Sequence, residues 1–532
     1  MAHQHERIDP VATVTEQRGH DEKKAPSRPK GPSGSLVDPA NFLLATRDTG
    51  YKTTALAIAE LIDNSLQAAA TEVQVEVAAG RDDEFPLEIT VMDNGSGMAH
   101  ETLAAALTFG GSTRFGDRSS LGRYGMGLPN GALSRARRVE VYSWIGPTVW
   151  MGRLDVDEVA RDRHGTLPPI SEVTDRSFLP ATPSGTVVRL LRCDRVEFRR
   201  VTTVVRRLRD ELGRIYRHFI AAGVGLVVNG SPVTPIDPLM LDSTGRLAGA
   251  REFGDTLVYS VDAPAGSGQV KVRFSELPIE RWHNLASSEK RQLGITGSSS
   301  VSVLRADREI DRGWFFMGTK RRENYDDWWR CEICFEPALD ELFGLTHAKQ
   351  SIAPTQKLLD LLAPDLEPIG RALNSRVRRR FELLKVSEPL GNAERRAARA
   401  EVALPPLPRN PEPPPPELEQ AFAPMEATRP IDCPYRLVVS ELPTTAAFET
   451  VVRRGRLVVA LNSRHPLYRD LYGPLATSET ESDKEVATHV ALTVLAAARA
   501  EWLDPRKAGR AARRRFRQAW SDVMASFFNA PA

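Results

Sequence analysis

Five apolar or alternating runs between residues 73 and 228 have the length and period of strands: Val73–Val77, Leu87–Met92, Val139–Trp144, Gly185–Leu191 and Val224–Val228. Helical periodicities over Thr54–Ala69, Glu101–Leu107 and Val201–Ala222 precede and separate them. Such interleaving predicts a layered α/β sandwich over residues 38–235. A smaller α/β unit is expected over 236–385. Residues 1–37 mix charge with Pro, Gly and Ser without period and read as a disordered arm. Eight prolines between Pro405 and Pro416 mark an extended, semi-rigid linker, assigned to 386–434. Pattern resumes at Tyr435 and ends in two helices near Asp483–Leu503 and Arg506–Phe527, giving a small C-terminal α+β region over 435–532.

Composition narrows the class. The longest apolar stretch, Phe219 to Val228, has ten residues, half of what a bilayer-spanning helix needs. The N-terminus is polar, without the apolar core of a secretory leader. Four cysteines in 532 residues make no disulfide framework, so the expected compartment is a reducing cytoplasm, with no membrane partner. A net charge of +2 says little about partners, but Arg506 to Arg517 holds seven cations in twelve residues and no acid. Arg-rich runs at Arg192–Arg217 and Arg371–Lys385 are interrupted by acids. Such runs grip phosphate backbones or serve as solvated helix faces.

The first helix carries two stripes. Ala55, Ile58, Ala59, Ile62 and Leu66 form an apolar one, while Glu60, Asp63, Asn64 and Gln67 form a polar one that lacks any cation. Two acids and two amides one turn apart suit a hydrated divalent ion and a nearby water. The strand Leu87–Met92 runs into Asp93-Asn-Gly-Ser-Gly-Met98. A carboxylate there can accept from an amino group in a cleft, and Gly95 and Gly97 let a flat ring approach the backbone. The alternative is a tight Asp-Asn-Gly turn. A third element, Gly122-Arg-Tyr-Gly-Met-Gly-Leu128, can turn successive N–H groups inward as a phosphate nest. It is neither a P-loop nor a Rossmann fingerprint. The fourth element is Gly185-Thr186, entering a strand.

In this order and spacing, the four elements resemble the GHKL ATPase superfamily of gyrase B subunits, heat-shock chaperones, histidine kinases and MutL proteins. The matching text is Glu60-Leu-Ile-Asp-Asn64, Asp93-Asn-Gly-Ser-Gly97, Gly122-Arg-Tyr-Gly-Met-Gly127 and Gly185-Thr186. The resemblance implies a Bergerat-type ATP-binding α/β sandwich with ATP and Mg²⁺ as cofactors. It makes Glu60 the general base, Asn64 the Mg²⁺ ligand and Asp63 a supporting group of the pocket. It puts Asp93, Gly95, Gly97, Met98 and Thr186 around the adenine. Gly122, Arg123, Tyr124, Gly125, Met126, Gly127 and Leu128 would supply the phosphate-binding lid.

The text Ala59-Glu-Leu-Ile-Asp-Asn-Ser65 with Leu107-Thr-Phe-Gly-Gly111 is most similar to MORC proteins and their bacterial relatives, and to MutL. That likeness implies a transducer domain of the ribosomal-S-five-like fold over 236–385. From it Lys349, in Gly344-Leu-Thr-His-Ala-Lys-Gln-Ser-Ile352, would reach the γ-phosphate. It further implies an ATP-gated homodimeric clamp on double-stranded DNA, in a bacterial DNA-targeting or phage-defence system with helicase or nuclease partners. A chaperone-like remodelling ATPase and a slow nucleotide-switched subunit are the competing functions. Cys331-Glu-Ile-Cys334, flanked by Trp328, Trp329 and Phe335, reads as strand alternation. Asn462-Ser-Arg-His-Pro-Leu-Tyr468 reads as a structural turn.

Overall fold

The computed structural model describes residues 38–48, 50–81, 83–111, 127–161, 168–241, 248–298, 301–345, 351–407, 433–453, 455–503 and 507–530, with positions 416, 418 and 422. They form two units: the chain up to Gly213 with Phe219–Thr234, and Arg214–His218 with Pro235 onward. Among the described residues no helix is long and apolar enough to cross a membrane.

The first unit runs α1 (Pro39–Asp48), α2 (Thr54–Gln67), β1 (Glu72–Ala79), β2 (Leu87–Asp93), α3 (His100–Leu107), α4 (Gly127–Leu133), β3 (Ala136–Ile145), β4 (Thr148–Asp155), α5 (Val156–Arg161), β5 (Ser171–Glu172) and β6 (Ser184–Cys193). It continues through α6 (Val201–Ile215) and α7 (Arg217–Ala221), whose residues 214–218 count with the second unit, and then β7 (Gly225–Val228) and β8 (Ser231–Pro232). The strands make one eight-stranded sheet in the order β5-β4-β3-β6-β2-β1-β7-β8. Only β1 and β7 pair in parallel within it. Thr53 caps α2, its Oγ1 accepting from the Leu56 N–H. The apolar stripe of α2 is buried at Ala55, Ile58, Ala59 and Ile62. On β2, burial alternates with period two, so Leu87, Ile89, Val91 and Asp93 share one face. Helix α6 ends sooner than the sequence suggests, and α7 is a separate turn of helix.

The second unit begins with β9 (Arg251–Glu252), β10 (Leu257–Ala263), β11 (Gly266–Glu276), α8 (Ile279–Trp282), α9 (Ser287–Gln292), β12 (Val301–Arg305), β13 (Arg308–Gly313) and β14 (Trp329–Phe335). Its sheet is ordered β10-β11-β14-β12-β13, with β9 on β11. Cys331 and Cys334 lie on β14 opposite Phe274 and Lys271. The strand reading of that segment holds. Helix α10 (Gln356–Ala400) follows. Then come β15 (Tyr435–Ser440), β16 (Phe448–Arg453), β17 (Arg456–Asn462), α11 (Gly473–Thr477), α12 (Glu481–Ala500) and α13 (Lys507–Phe528).

Helix α10 runs unbroken through the boundary expected at 385 and occupies residues 386–400 of the expected linker. Leu358, Leu362, Leu366, Leu373 and Val377 pack into the core of the larger sheet. Val386, Leu390 and Ala393 of the same helix pack into a second core with β15–β17 and α12. Pro364, Pro368 and Pro389 lie inside the helix without ending it. An internal proline ordinarily costs about 3 kcal/mol. Here two cores hold the flanking turns, and Pro364 and Pro368 face solvent, where water can satisfy the freed carbonyls. The expected linker is also too long at its other end. Leu418 and Phe422 are buried against Leu442, Val451, Val458 and Ala460, the sheet face turned away from α12. The turn reading of the 462–468 segment holds: Asn462 Nδ2 donates to the Thr444 and Ala446 carbonyls, both at 3.0 Å.

Many cations of the two interrupted Arg-rich runs are tied to acids. Arg192 pairs with Asp155 and Asp157, and Arg195 with Asp48. On α10, Arg371 pairs with Glu367, Arg376 with Glu276, and Arg380 with Glu280.

Candidate nucleotide site

Three neighbouring strands, β2, β6 and β3, bring three polar side chains into line. Asp93 pairs with Thr186 in the β2–β6 register, and Ser143 pairs with Thr186 in the β3–β6 register. Asp93 is buried and lies on the same face as the strand's apolar residues. Burial pushes its carboxyl above the ordinary carboxylate range, while bonds from the Gly95 backbone, Ser65 and the Thr186 backbone oppose that rise. The Ser65 hydroxyl donates to Asp93 Oδ2 at 2.8 Å, and the Gly95 N–H donates to Oδ1 at 2.9 Å. The Met98 N–H donates to Ser143 Oγ at 2.8 Å, and Ser143 Oγ lies 3.1 Å from Thr186 Oγ1.

Glycines keep this cleft open. A Cβ on Gly97, whose φ is +67°, would lie 2.1 Å from the Trp144 carbonyl. One on Gly185 would lie 2.3 Å from the Asp93 carbonyl, and one on Gly95 would lie 2.8 Å from Ala68 Cβ. Gly97 is therefore required both for its left-handed backbone and for space. Trp144 is fixed through its indole N–H, which donates to the Thr182 carbonyl at 2.9 Å.

Glu60 and Asp63 are buried on α2, and Asn64 is half-buried beside them. Helix α4 packs on α2 closely enough that a Cβ on Gly127 would lie 2.3 Å from Glu60 Oε1. Leu128 follows in the first turn of α4. Gly122, Arg123, Tyr124, Gly125 and Met126 lie outside the described residues, as does Lys349. The structure thus groups Asp93, Gly95, Gly97, Met98 and Thr186 at one cleft. It sets Glu60 against Gly127.

Sequence reasoning missed two contributors, Ser65 and Ser143. Ser65 follows Asn64 directly, and Ser143 is a hydroxyl on the Val139–Val141 face of an apolar strand. For Ser143 the available signal is a lone hydroxyl in an apolar strand, whereas Ser65 closes the polar run Asp63-Asn64-Ser65 and does not stand out from it. Near the cleft, the buried Asn130 Oδ1 on α4 and Gln67 Nε2 on α2 have no hydrogen-bond partner among the described residues. Buried polar atoms of this kind call for a partner such as a ligand or water.

The donor set suits a nucleotide and its metal. Among the described residues no three His, Cys, Asp or Glu cluster to hold an ion. The half-buried amide of Asn64 is an oxygen donor of the kind Mg²⁺ takes alongside waters and phosphate oxygens.

Much of this site falls in a segment that matches a known family. Residues 51–183 match the family model described as histidine kinase-, DNA gyrase B-, and HSP90-like ATPase. The chain is 31% identical over 160 residues to the DNA mismatch repair protein MutL of Azorhizobium caulinodans, covering 29% of this chain and 24% of that protein. It is 30% identical over 218 residues to MutL of Brucella abortus, covering 39% and 32%. It is 36% identical over 83 residues to the ATPase morc-1 of Caenorhabditis elegans, covering 16% and 9%. The aligned stretches thus span a third or less of each relative. Residues 51–183 are a domain of the histidine kinase-, gyrase B- and HSP90-like ATPase family, related to its MutL and MORC members.

Proposed function

We propose that the chain binds and hydrolyses ATP in the cleft between α2 and the β2–β6–β3 face. The observation that carries this reading is Asp93: a buried carboxylate held by Ser65 and Gly95, beside Thr186, with Gly97 pressed to the Trp144 carbonyl. Such an acceptor, flanked by backbone with no Cβ in the way, matches the edge of an adenine ring. Glu60 orients and deprotonates the attacking water. Asn64 holds Mg²⁺, which supplies charge neutralisation at the phosphates. Asp63 supports the polar face of α2. Gly122 through Leu128 close over the phosphates, and Lys349 reaches the γ-phosphate from residues 236–385, which serve as a transducer domain.

At the level of the whole chain, nucleotide binding closes a homodimeric clamp on duplex DNA, and hydrolysis opens it. This reading extends to a DNA-targeting or phage-defence system with helicase or nuclease partners. The kinship to proteins named for DNA mismatch repair supports the DNA-acting branch over a chaperone.

Calorimetric titration of ATP with Mg²⁺ tests the core of the proposal. Wild type should bind, and Asp93→Asn should lose most of the affinity. Glu60→Ala should bind like wild type but turn over at least about a hundredfold more slowly. A wild type without binding heat refutes the proposal, and hydrolysis near the wild-type rate in Glu60→Ala refutes the base. Comparing ATPase rates with and without duplex DNA at two salt concentrations tests the DNA client.

A further inference from the structure

One row of side chains crosses the cleft, formed by Asp93, Thr186 and Ser143 as register partners on β2, β6 and β3. Residues directly opposite on antiparallel strands project from the same face, so the three stand side by side. Asp93 is an acceptor at both oxygens when ionised. Thr186 is buried next to it, and Ser143, behind Thr186, has no exposed surface at all.

A serine hydroxyl has one proton and two lone pairs, and three groups lie within its reach. The Met98 N–H donates to Ser143 Oγ at 2.8 Å, which occupies one lone pair. The Gly185 carbonyl lies 3.1 Å from the same oxygen, and so does Thr186 Oγ1. Met98 and Gly185 alone would satisfy a hydroxyl whose task is to hold the fold. The contact with Thr186 is additional, and among the described residues Thr186 Oγ1 has no other polar partner.

Proton counting leaves two arrangements. In the first, Ser143 donates to the Gly185 carbonyl, Thr186 donates to Ser143, and Thr186 shows the cleft lone pairs. In the second, Ser143 donates to Thr186 Oγ1, and the Thr186 proton is free to point into the cleft. Beside the Asp93 acceptor, the row therefore presents either a second acceptor or a donor.

The amino group of adenine is a donor, and the ring nitrogen next to it is an acceptor. A cleft that takes both needs an acceptor with a donor at its side, which the second arrangement supplies. We propose that Ser143 is a positioning residue for the base. It gives its proton to Thr186 Oγ1, which turns the Thr186 proton to the ring nitrogen, and it ties down the loop after Asp93 through the Met98 N–H. This rests on the adenine reading of the cleft and adds a residue that acts through Thr186 and Met98.

Calorimetric titration, with Mg²⁺, of ATP and of 1-deaza-ATP tests this, since the analogue has C–H in place of that ring nitrogen. Wild type should prefer ATP about tenfold, the worth of one hydrogen bond. Thr186→Val should bring the ratio to about one. Ser143→Ala should reduce it to about threefold, because the Thr186 proton then samples three staggered positions. Ser143→Cys, close in volume and a weaker donor, should fall between Ser143→Ala and wild type. A hydroxyl that merely held the fold would weaken both nucleotides alike and leave the ratio where it was. In the nucleotide-free chain, the Met98 amide should exchange about tenfold faster in Ser143→Ala than in wild type. A wild-type ratio of one, or a ratio that Ser143→Ala leaves unchanged, overturns the proposal while the ATP site stands. Unchanged Met98 exchange overturns the hold on the loop. A wild type that gives no heat with ATP removes the site itself, and this role of Ser143 with it.

Discussion

Gly127 and Glu60 share a space with no room for a methyl group: a Cβ on the glycine would lie 2.3 Å from Glu60 Oε1 and 3.1 Å from its Cγ. The backbone at Gly127 is not in the left-handed region, so alanine can adopt its conformation. What alanine cannot do is leave the Glu60 carboxylate where it is.

Gly127→Ala should therefore act as a displaced-base variant. Turnover should fall about ten- to a hundredfold, because misplacing a catalytic group by about 1 Å has effects of that size. Thermal unfolding should barely move. Parallel measurement of kcat and of the ATP dissociation constant checks this. A variant that loses binding and keeps kcat contradicts the placement of Glu60.

Ser65→Ala removes the hydroxyl that donates to Asp93 Oδ2. A hydrogen bond to a charged group contributes about 1.5–3 kcal/mol, so adenine nucleotide affinity should drop about ten- to a hundredfold. Turnover at saturation should change little, since the hydroxyl is remote from Glu60 along α2. Ser65→Thr should restore binding. Calorimetry with ATP, and with GTP as control, separates these outcomes.

Burial raises the Asp93 carboxyl, so acid neutralises it earlier than an exposed aspartate. The ionised form is the one that accepts from an amino group. Nucleotide affinity should thus weaken with falling pH at values where surface carboxylates are still charged. Asp93→Asn, already weak, should show a flat profile over the same range. An equally steep profile in Asp93→Asn would assign the titration to another group.

Glu332 shows the opposite behaviour. Burial alone would raise its carboxyl. Bonds and charge from His218 and Arg217 overcome that and hold it at about 2, against 4.5 for a free glutamate. Arg217 Nη2 lies 2.6 Å and His218 Nε2 3.6 Å from Glu332 Oε2. A depressed folded value means the stabilisation is complete above about 4.5 and lost as pH falls from there to about 2. The contribution is on the order of 3 kcal/mol. Denaturant midpoints from pH 6 downward should fall more steeply for wild type than for Glu332→Gln.

The Asp93 side of the cleft was legible because two strong local rules converge there. A period-two strand brought Asp93 to the buried face, and Gly97 needed a conformation that few other residues adopt. Ser65 and Ser143 were not legible, because a single hydroxyl has no period and its partner lies 28 or 43 residues away. Strand β4 was missed since Trp150, Met151, Gly152 and Arg153 do not alternate in polarity. The length of α10 was hidden by its three prolines. Propensity argued for a break, and burial on two separate cores prevailed. Residues 122–126 of the expected phosphate lid and Lys349 lie outside the described residues, so for them the sequence is the only guide.

Helix α10 contributes leucines to one hydrophobic centre and Val386, Leu390 and Ala393 to the next. A cut near residue 385 would fall between these two sets, dividing the helix but leaving each core the side chains that the helix gives it. A cut upstream of the rod would instead take Leu358, Leu362, Leu366, Leu373 and Val377 out of the first core and expose it to water.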